Sequence, residues 1–250
     1  MHITLTGNLG SGKSTICKIL DKDFKFEIYS TGKVQRELAQ ELGISVLEMN
    51  QLMCADHKYD KMIDDTTAKI SRENPDKNIV FDSRLAWNFV EKSFKTFLSV
   101  DIDVAAQRVF NDNRGAVETY SSVEDAKAQL KLRAQTEDIR YKDIYSIEYF
   151  NFNNYNLVLD STYASPELLA DVLVSEAKAC SDYNAPVKIL MSPKRLGADN
   201  FKISEKPSCF YLEETVRIKP EGDGYVIVSG EEILDKAVKQ GIPFVNAVLA

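Results

Sequence analysis

Gly7-Asn8-Leu9-Gly10-Ser11-Gly12-Lys13-Ser14-Thr15 spells the pattern GxxxxGKS without a gap. Before it, His2 to Leu5 reads as a short apolar strand; after it, Lys13 to Leu20 reads as a helix. Strand, loop and helix in that order are the context in which such a loop can hold phosphate. The glycines let the backbone curl so that successive N–H groups point inward at anionic oxygens. The positive end of the helix dipole is aimed at the same place. The stretch therefore predicts a nucleoside triphosphate held by Gly7 through Thr15, with Lys13 bridging the β- and γ-phosphates and the Ser14 hydroxyl ligating Mg²⁺. The bland alternative, a glycine-rich turn, requires the flanking strand and helix to be coincidence.

Around this loop the chain alternates apolar strands and helical stretches. Strands are expected at His2–Thr6, Lys25–Tyr29, Asn78–Phe81, Phe94–Val100 and Tyr155–Leu159. Helices are expected at Lys13–Leu20, Thr31–Leu42, Val46–Cys54, His57–Glu73 and Val104–Asn111, with a closing helix from Leu168 to Cys180 that has Pro166 in its first turn. Alternating β and α predicts an α/β fold with a parallel sheet covered on both faces. The polar stretch Ser181–Pro186 reads as a linker, dividing the chain into residues 1–183 and 187–250. The second part has short strands at Val187–Met191, Cys209–Leu212, Gly224–Val228 and Pro243–Val248, and one helix at Glu231–Lys239; it reads as a small α+β domain.

Bulk composition narrows the function. The chain has 250 residues, 44% of them hydrophobic, and a net charge of −7. An acidic balance argues against nucleic acid or an anionic membrane as partner, since both select a basic face. No apolar run approaches the ~20 residues of a membrane span. The first apolar stretch is too short for a signal peptide. Residues 187–250 carry 9 basic and 9 acidic side chains, so the first part holds the whole excess of acid. Cys17, Cys54, Cys180 and Cys209 lie far apart with no CxxC pair, which predicts neither zinc nor disulfides and fits a reducing, cytoplasmic compartment. His2 and His57 have no partner at metal-ligand spacing, and His2 reads as a surface or structural residue.

A kinase for a small acceptor needs a pocket for the acceptor, an acidic residue near Mg²⁺, and arginines that reach the moving group. Three segments supply candidates. Ser30-Thr31-Gly32-Lys33-Val34-Gln35-Arg36 follows the second strand; Ser30 or Thr31 could cap the next helix, while Ser30, Gly32 and Arg36 are the acceptor-binding candidates. Phe81-Asp82-Ser83-Arg84 ends the third strand, where parallel sheets place their ligands. Asp82 is thus a candidate for a Mg²⁺-bound water and Arg84 for the acceptor; a surface Asp–Arg pair is the alternative. Beyond the loop Asn111-Asp112-Asn113-Arg114-Gly115, a long helix is expected from Ser122 to Asp138, with Glu124, Asp125 and Glu137 among its charges. Arg133 and Arg140, seven apart, share a face if that helix continues. This stretch is a candidate helical lid, or simply a solvated charged helix.

The phosphate loop, the segment 30–38 (STGKVQREL), the segment 82–87 (DSRLAW) and the segment 133–147 (RAQTEDIRYKDIYSI), in this order, resemble the cytidylate kinase-like group of nucleoside monophosphate kinases, most closely its short archaeal-type members. The likeness covers residues 1–180. It implies a P-loop kinase fold with a five-stranded parallel sheet and a helical lid, ATP and Mg²⁺ as the phosphoryl-donating pair, and CMP or dCMP as acceptor. Carried over by motif, Lys13 and Ser14 hold the donor, Arg36 and Arg84 the acceptor phosphate, and Arg133 and Arg140 act from the lid. The chain departs from the group's pattern at three places. The group's acidic-Gly-Arg reads Asp82-Ser83-Arg84, its Ala-Gly-Trp reads Ala86-Trp87, and its Tyr-Gly-Ile reads Tyr145-Ser146-Ile147. These changes spare the donor loop and bear on the acceptor.

Other readings share the loop. A P-loop kinase for another small molecule, such as dephospho-coenzyme A, would use Asp82 as the base for an alcohol. A non-catalytic nucleotide switch would act through residues 187–250. Those residues resemble in outline the ParB/sulfiredoxin-like fold. Their turn reads Gly230-Glu231-Glu232-Ile233, with acids where that group binds phosphate, so no nucleotide site is expected there. Packing on the first part, self-association or a protein contact is the expected role of this segment.

Overall fold

The computed structural model describes residues 1–32, 34, 40–44, 52, 58–112 and 120–250. Its strands are β1 (His2–Gly7), β2 (Glu27–Ser30), β3 (Ile79–Asp82), β4 (Phe94–Ser99), β5 (Leu157–Asp160), β6 (Lys188–Met191), β7 (Tyr211–Glu221), β8 (Gly224–Ser229) and β9 (Phe244–Leu249). Its helices are α1 (Lys13–Phe24), α2 (Lys58–Glu73), α3 (Ala86–Phe89), α4 (Ile102–Asn111), α5 (Val123–Tyr145), α6 (Pro166–Ala179) and α7 (Glu231–Gln240). All strands join one sheet in the order β2-β3-β1-β4-β5-β6-β9-β7-β8.

The expected five-stranded parallel core is β2-β3-β1-β4-β5, every neighbour parallel. β1 is buried along its whole length, as a strand covered on both faces must be. On one face Ile3, Leu5, Leu157 and Leu159 pack with Ile16, Cys17 and Leu20 of α1 and with Leu169, Val172 and Leu173 of α6. The spacing of those helix residues gives each helix its apolar stripe. On the other face Phe97 and Val158 meet Tyr141, Tyr149 and Tyr155. Side chains fix the helix starts: Asp101 caps α4, Ser122 caps α5, and Ser165 caps α6 with Pro166 in the first turn. α5 runs on to Tyr145, past the Asp138 expected, so Arg133 and Arg140 do share a face. His2 is buried, its ring between the Ser71 hydroxyl at 3.0 Å and the Asn74 carbonyl at 2.9 Å, and is structural.

β1 has β3 on one side and β4 on the other, so strand order reverses there, and the crevice at such a switch point is where an open parallel sheet binds its ligand. Ser30, Asp82, Ser99 and Asp160 all lie at C-terminal strand ends facing this edge, Ser30 in register with Asp82 and Ser99 with Asp160.

Residues 187–250 continue the same sheet. The stretch read as a linker is a surface turn closed by hydrogen bonds to Asp182, and the next strand, β6, pairs parallel with β5. β9 pairs antiparallel with β6 and parallel with β7, and β7–β8 is a hairpin. The segment adds its strands to the first part's sheet rather than forming a sheet of its own, and nothing supports the ParB/sulfiredoxin-like likeness. Leu190 and Phe244 are fully buried in the same core as Leu5 and Leu159. β7 is longer than the expected Cys209–Leu212, because its pairing with β9 shifts register between Leu212 and Thr215. The inward residues Leu212, Val216 and Ile218 keep one phase, but exposed Glu214 stands between them and interrupts the apolar alternation in the sequence. Helix α3, four residues long, is too short for periodicity to reveal. Most of the helix expected at Val46–Cys54 lies outside the described residues.

A shared core predicts shared unfolding. Phe244→Ala should destabilise the protein by about 3–5 kcal/mol, and calorimetry should show a single transition moved down in temperature. Two transitions, only one of them moved, would mean that the sheet extension folds independently.

Candidate active site

At the switch point lies a cleft of about 590 Å³. Its walls include Lys13 and Ser14 of α1, Ser30 and Gly32 after β2, Asp82 and Arg84 after β3, and Arg133 and Arg140 of α5. These residues, up to 127 positions apart in the chain, are the sequence candidates, and all of them converge here. Arg36 lies outside the described residues.

The phosphate loop has the conformation its glycines allow. Gly10 has φ +77°, and a Cβ there would stand 2.9 Å from Ala105 at the start of α4. Gly12 has φ +85° and begins α1 with no side chain capping the helix, so the first N–H groups face the cleft unclaimed by a capping residue. Ser11 is buried and its hydroxyl has no partner. Open helix N–H groups, an orphaned buried hydroxyl and a cradle too tight for Cβ fit a polyphosphate. The Lys13 ammonium donates to the carbonyls of Gly7 and Asn8, each at 3.2 Å. Burial, reinforced by Arg84, lowers its pKa to about 7, with Asp82 and Glu137 opposing. Anionic oxygens in the loop add the opposite charge and favour the ammonium.

Across the cleft, Glu137 of α5 links two arginines. Its Oε2 accepts from Arg84 Nε at 3.0 Å and its Oε1 from Arg133 Nε at 3.1 Å. Burial works against the Glu137 charge, but Arg84 and Arg133 outweigh it and hold the carboxyl below its ordinary range. Burial likewise works against the Arg84 charge; Tyr149 and Glu137 more than offset it, and the guanidinium stays firmly protonated. Arg84 also donates to the Gly7 carbonyl at 3.4 Å, which ties β3 to the phosphate loop. Tyr149, fully buried, donates to the same carbonyl at 3.2 Å. Further along α5, Arg140 pairs with Asp60 of α2, and the Tyr145 hydroxyl donates to Asp64 at 2.5 Å. Burial pushes the Asp64 carboxyl up to about 6 against that hydrogen bond.

Asp82 and Ser14 both line the cleft, and the Ser30 hydroxyl donates to Asp82 Oδ2 at 3.2 Å. A carboxylate and a hydroxyl make an all-oxygen donor set of the kind Mg²⁺ uses when substrate phosphates and water complete its shell. Among the described residues no group of three or more His, Cys, Asp or Glu forms a ready-made metal cage. The residues therefore fit a shared Mg²⁺ rather than a resident metal. No helix among the described residues is long and apolar enough to cross a membrane.

A model of the cytidylate kinase-like family matches residues 2–163. The chain belongs to the cytidylate kinase-like family. A cytidylate kinase of Methanobrevibacter smithii is 30% identical over 178 residues, covering 71% of this chain and 99% of that one. A cytidylate kinase of Methanococcoides burtonii is 30% identical over 183 residues, 73% of this chain and all of that one. Among solved structures, an uncharacterized protein from Eubacterium ventriosum aligns with TM-score 0.53 at 14% identity, over 72% of this chain and 99% of that one; it shows the fold alone. Family membership makes the chain a nucleoside monophosphate kinase-type enzyme that carries out phosphoryl transfer.

Two departures from the family pattern acquire a physical meaning. Ser146 ends α5 at φ +56°, the left-handed region where glycine is at ease, so the serine is the strained choice. Ser83 is buried, and its hydroxyl accepts from Leu85 N at 3.3 Å, shaping the turn that carries Arg84. Asp60, Asp64 and the bridging role of Glu137 were not legible beforehand. The one signal was the i, i+4 spacing of Arg133 and Glu137. A second cavity, of about 580 Å³, shares Gly10–Gly12 and Thr15 with the cleft and is walled by Arg108, Ser161, Ala164 and Leu169.

Gly10→Ala forces both a strained φ and the contact with Ala105, so nucleotide affinity measured by titration should fall at least about tenfold, while a wild-type value would remove the close approach from the account. For Asp64 the folded pKa lies above the unfolded value of about 4, so the native state binds the extra proton and stability falls as pH rises between about 4 and 6. Denaturant titrations across that window should show the slope in wild type and a flatter profile in Asp64→Asn.

Proposed function

We propose that the protein transfers the γ-phosphoryl group of MgATP to a nucleoside monophosphate, CMP or dCMP. The observation that carries the reading is the convergence, in one cleft, of the phosphate loop with Arg84, Arg133 and Arg140 from two other elements. Family membership supports the acceptor class.

The residues divide the work by position. The open N–H groups of the Gly7–Thr15 loop and of the start of α1, with the Lys13 ammonium, hold the donor phosphates. Ser14 and Asp82 would hold Mg²⁺, which would supply charge neutralisation between donor oxygens. Arg84, on the β3 end, is the acceptor-phosphate ligand, with Arg36 as its partner in this reading. Ser30 and Gly32 line the acceptor side. Arg133 and Arg140 supply positive charge from α5, the lid. The cavity beside Arg108 and Ser161 is the space left for the donor's base, since it abuts the outer side of the loop. An acceptor phosphate is already ionised at neutral pH, so no strong base is needed, and catalysis is alignment and charge stabilisation in a site with little water.

Purified protein with MgATP and each ribo- and deoxyribonucleoside monophosphate should form ADP fastest with CMP or dCMP. Lys13→Ala and Arg84→Ala should each lose about 100- to 1,000-fold in turnover with the circular dichroism spectrum unchanged. ATP binding without turnover on any monophosphate would overturn the reading, and wild-type turnover in Arg84→Ala would remove that residue from the site.

A further inference from the structure

We infer that Arg195, which lies beyond the stretch matched by the family, is a positioning residue for the donor side of the site, acting through Asp160 and the loop that follows it. The inference rests on the reading of the phosphate loop as the ATP site. Asp160 ends β5 and is fully buried. Arg195 donates from Nη1 to Asp160 Oδ1 at 3.1 Å and to the Ser99 hydroxyl at 2.6 Å, and from Nη2 to the Val100 carbonyl at 3.4 Å. Its side chain is only 8% exposed and stacks over the Tyr225 ring at 5.3 Å, so β8 holds it in place. The other Asp160 oxygen accepts from Ser192 N at 3.0 Å. Two residues from the sheet extension thus grip a carboxylate that belongs to the kinase core.

That carboxylate shapes the next turn. Asp160 Oδ1 accepts from Thr162 N at 3.1 Å and from the Thr162 hydroxyl at 2.5 Å. The turn then presents the carbonyls of Ser161 and Thr162 to Arg108 Nη2, at 2.8 and 3.0 Å, and Arg108 Nη1 donates to the Gly10 carbonyl at 3.3 Å. Arg108, Ser161 and Gly10 wall the 580 Å³ cavity beside the phosphate loop. The family match ends at residue 163, so Asp160 and Thr162 lie inside it and Ser192 and Arg195 outside. A buried carboxylate needs a cation or several donors to stay ionised. In this chain the extension supplies the cation that hydrogen-bonds the carboxylate, with Arg108 of the core nearby, and the arrangement of the donor cavity depends on it. Among the described residues Arg195 makes no direct hydrogen bond to Arg84, Arg133 or Arg140, so the acceptor side should feel its loss far less than the donor side.

The test uses full-length protein and measures MgATP affinity by titration together with the KM of each substrate. In Thr162→Val the ion pair survives and the turn loses its side-chain tie; in Arg195→Met the carboxylate loses its cation. Both should weaken MgATP binding and raise the ATP KM by about tenfold or more, with the acceptor KM within twofold of wild type. Arg195→Lys keeps the charge without the fork and should recover part of the affinity. A merely structural role would lower the thermal midpoint and scale both substrates' kinetics together. If Arg195→Met does not fold, Thr162→Val and Arg195→Lys decide. Wild-type ATP affinity in those two variants, or equal losses for both substrates, overturns the inference. Failure of the wild-type protein to bind MgATP would instead overturn the donor reading.

Discussion

Concentrated positive charge in a single cleft is the constraint on which the rest of this structure depends. Lys13, Arg84, Arg133 and Arg140 converge where three strands end. Like charges so placed repel one another strongly at low dielectric, and each prefers to be neutralised. The protein meets this with carboxylates that sit between the cations: Glu137 takes one arginine on each oxygen, and Asp60 takes Arg140. Lys13 donates to two carbonyls, and burial together with Arg84 brings its pKa down to about 7. A phosphate group entering between Arg84 and Arg133 meets donors already aimed inward and competes with one carboxylate for them. Such a cleft favours anions of high charge, which is what two nucleotides meeting end to end present.

The scaffold follows from the need to aim these groups. Parallel strands bring Ser30, Asp82, Ser99 and Asp160 to one edge, and the order reversal at β1 opens the crevice between them. Arg84 and Tyr149 both reach back to the Gly7 carbonyl, so the loop is held from the acceptor side as well as from α1. Arg108 holds it from the other flank through Gly10. Glycine is required at Gly7, where a Cβ would stand 2.3 Å from the Leu98 carbonyl oxygen, so the motif's composition is dictated as much by packing as by the ligand.

Much of this was legible in the sequence because the motifs are local. GxxxxGKS needs no tertiary knowledge, and the position of Asp82 and Arg84 at a strand end follows from one apolar run. Long amphipathic or well-capped helices such as α1, α4 and α6 announce themselves by period and cap. What could not be read depends on pairing between distant residues. Nothing local says that Glu137 faces Arg84, 53 positions away, or that Asp60 faces Arg140. The turn at Ser181–Pro186 has a linker's composition, yet whether a turn separates two bodies or only two strands is decided by which edge the next strand meets. Here β6 meets β5. Most of β7 was hidden in the same way, since exposed Glu214, at the register shift, interrupts the alternation of Leu212, Val216 and Ile218.

The central claim is that one cleft holds both nucleotides so that their phosphates meet. An adenosine–cytidine dinucleoside pentaphosphate, which joins the two nucleotides through a single chain of phosphates, measures this directly. Isothermal titration in the presence of Mg²⁺ should show it binding one molecule per protein and at least about 100-fold more tightly than ATP or CMP alone, because the second half binds without a second loss of translational freedom. Arg84→Ala should remove much of that advantage. Affinity no better than that of ATP, or independent binding of ATP and CMP with no gain on linking them, would contradict the account.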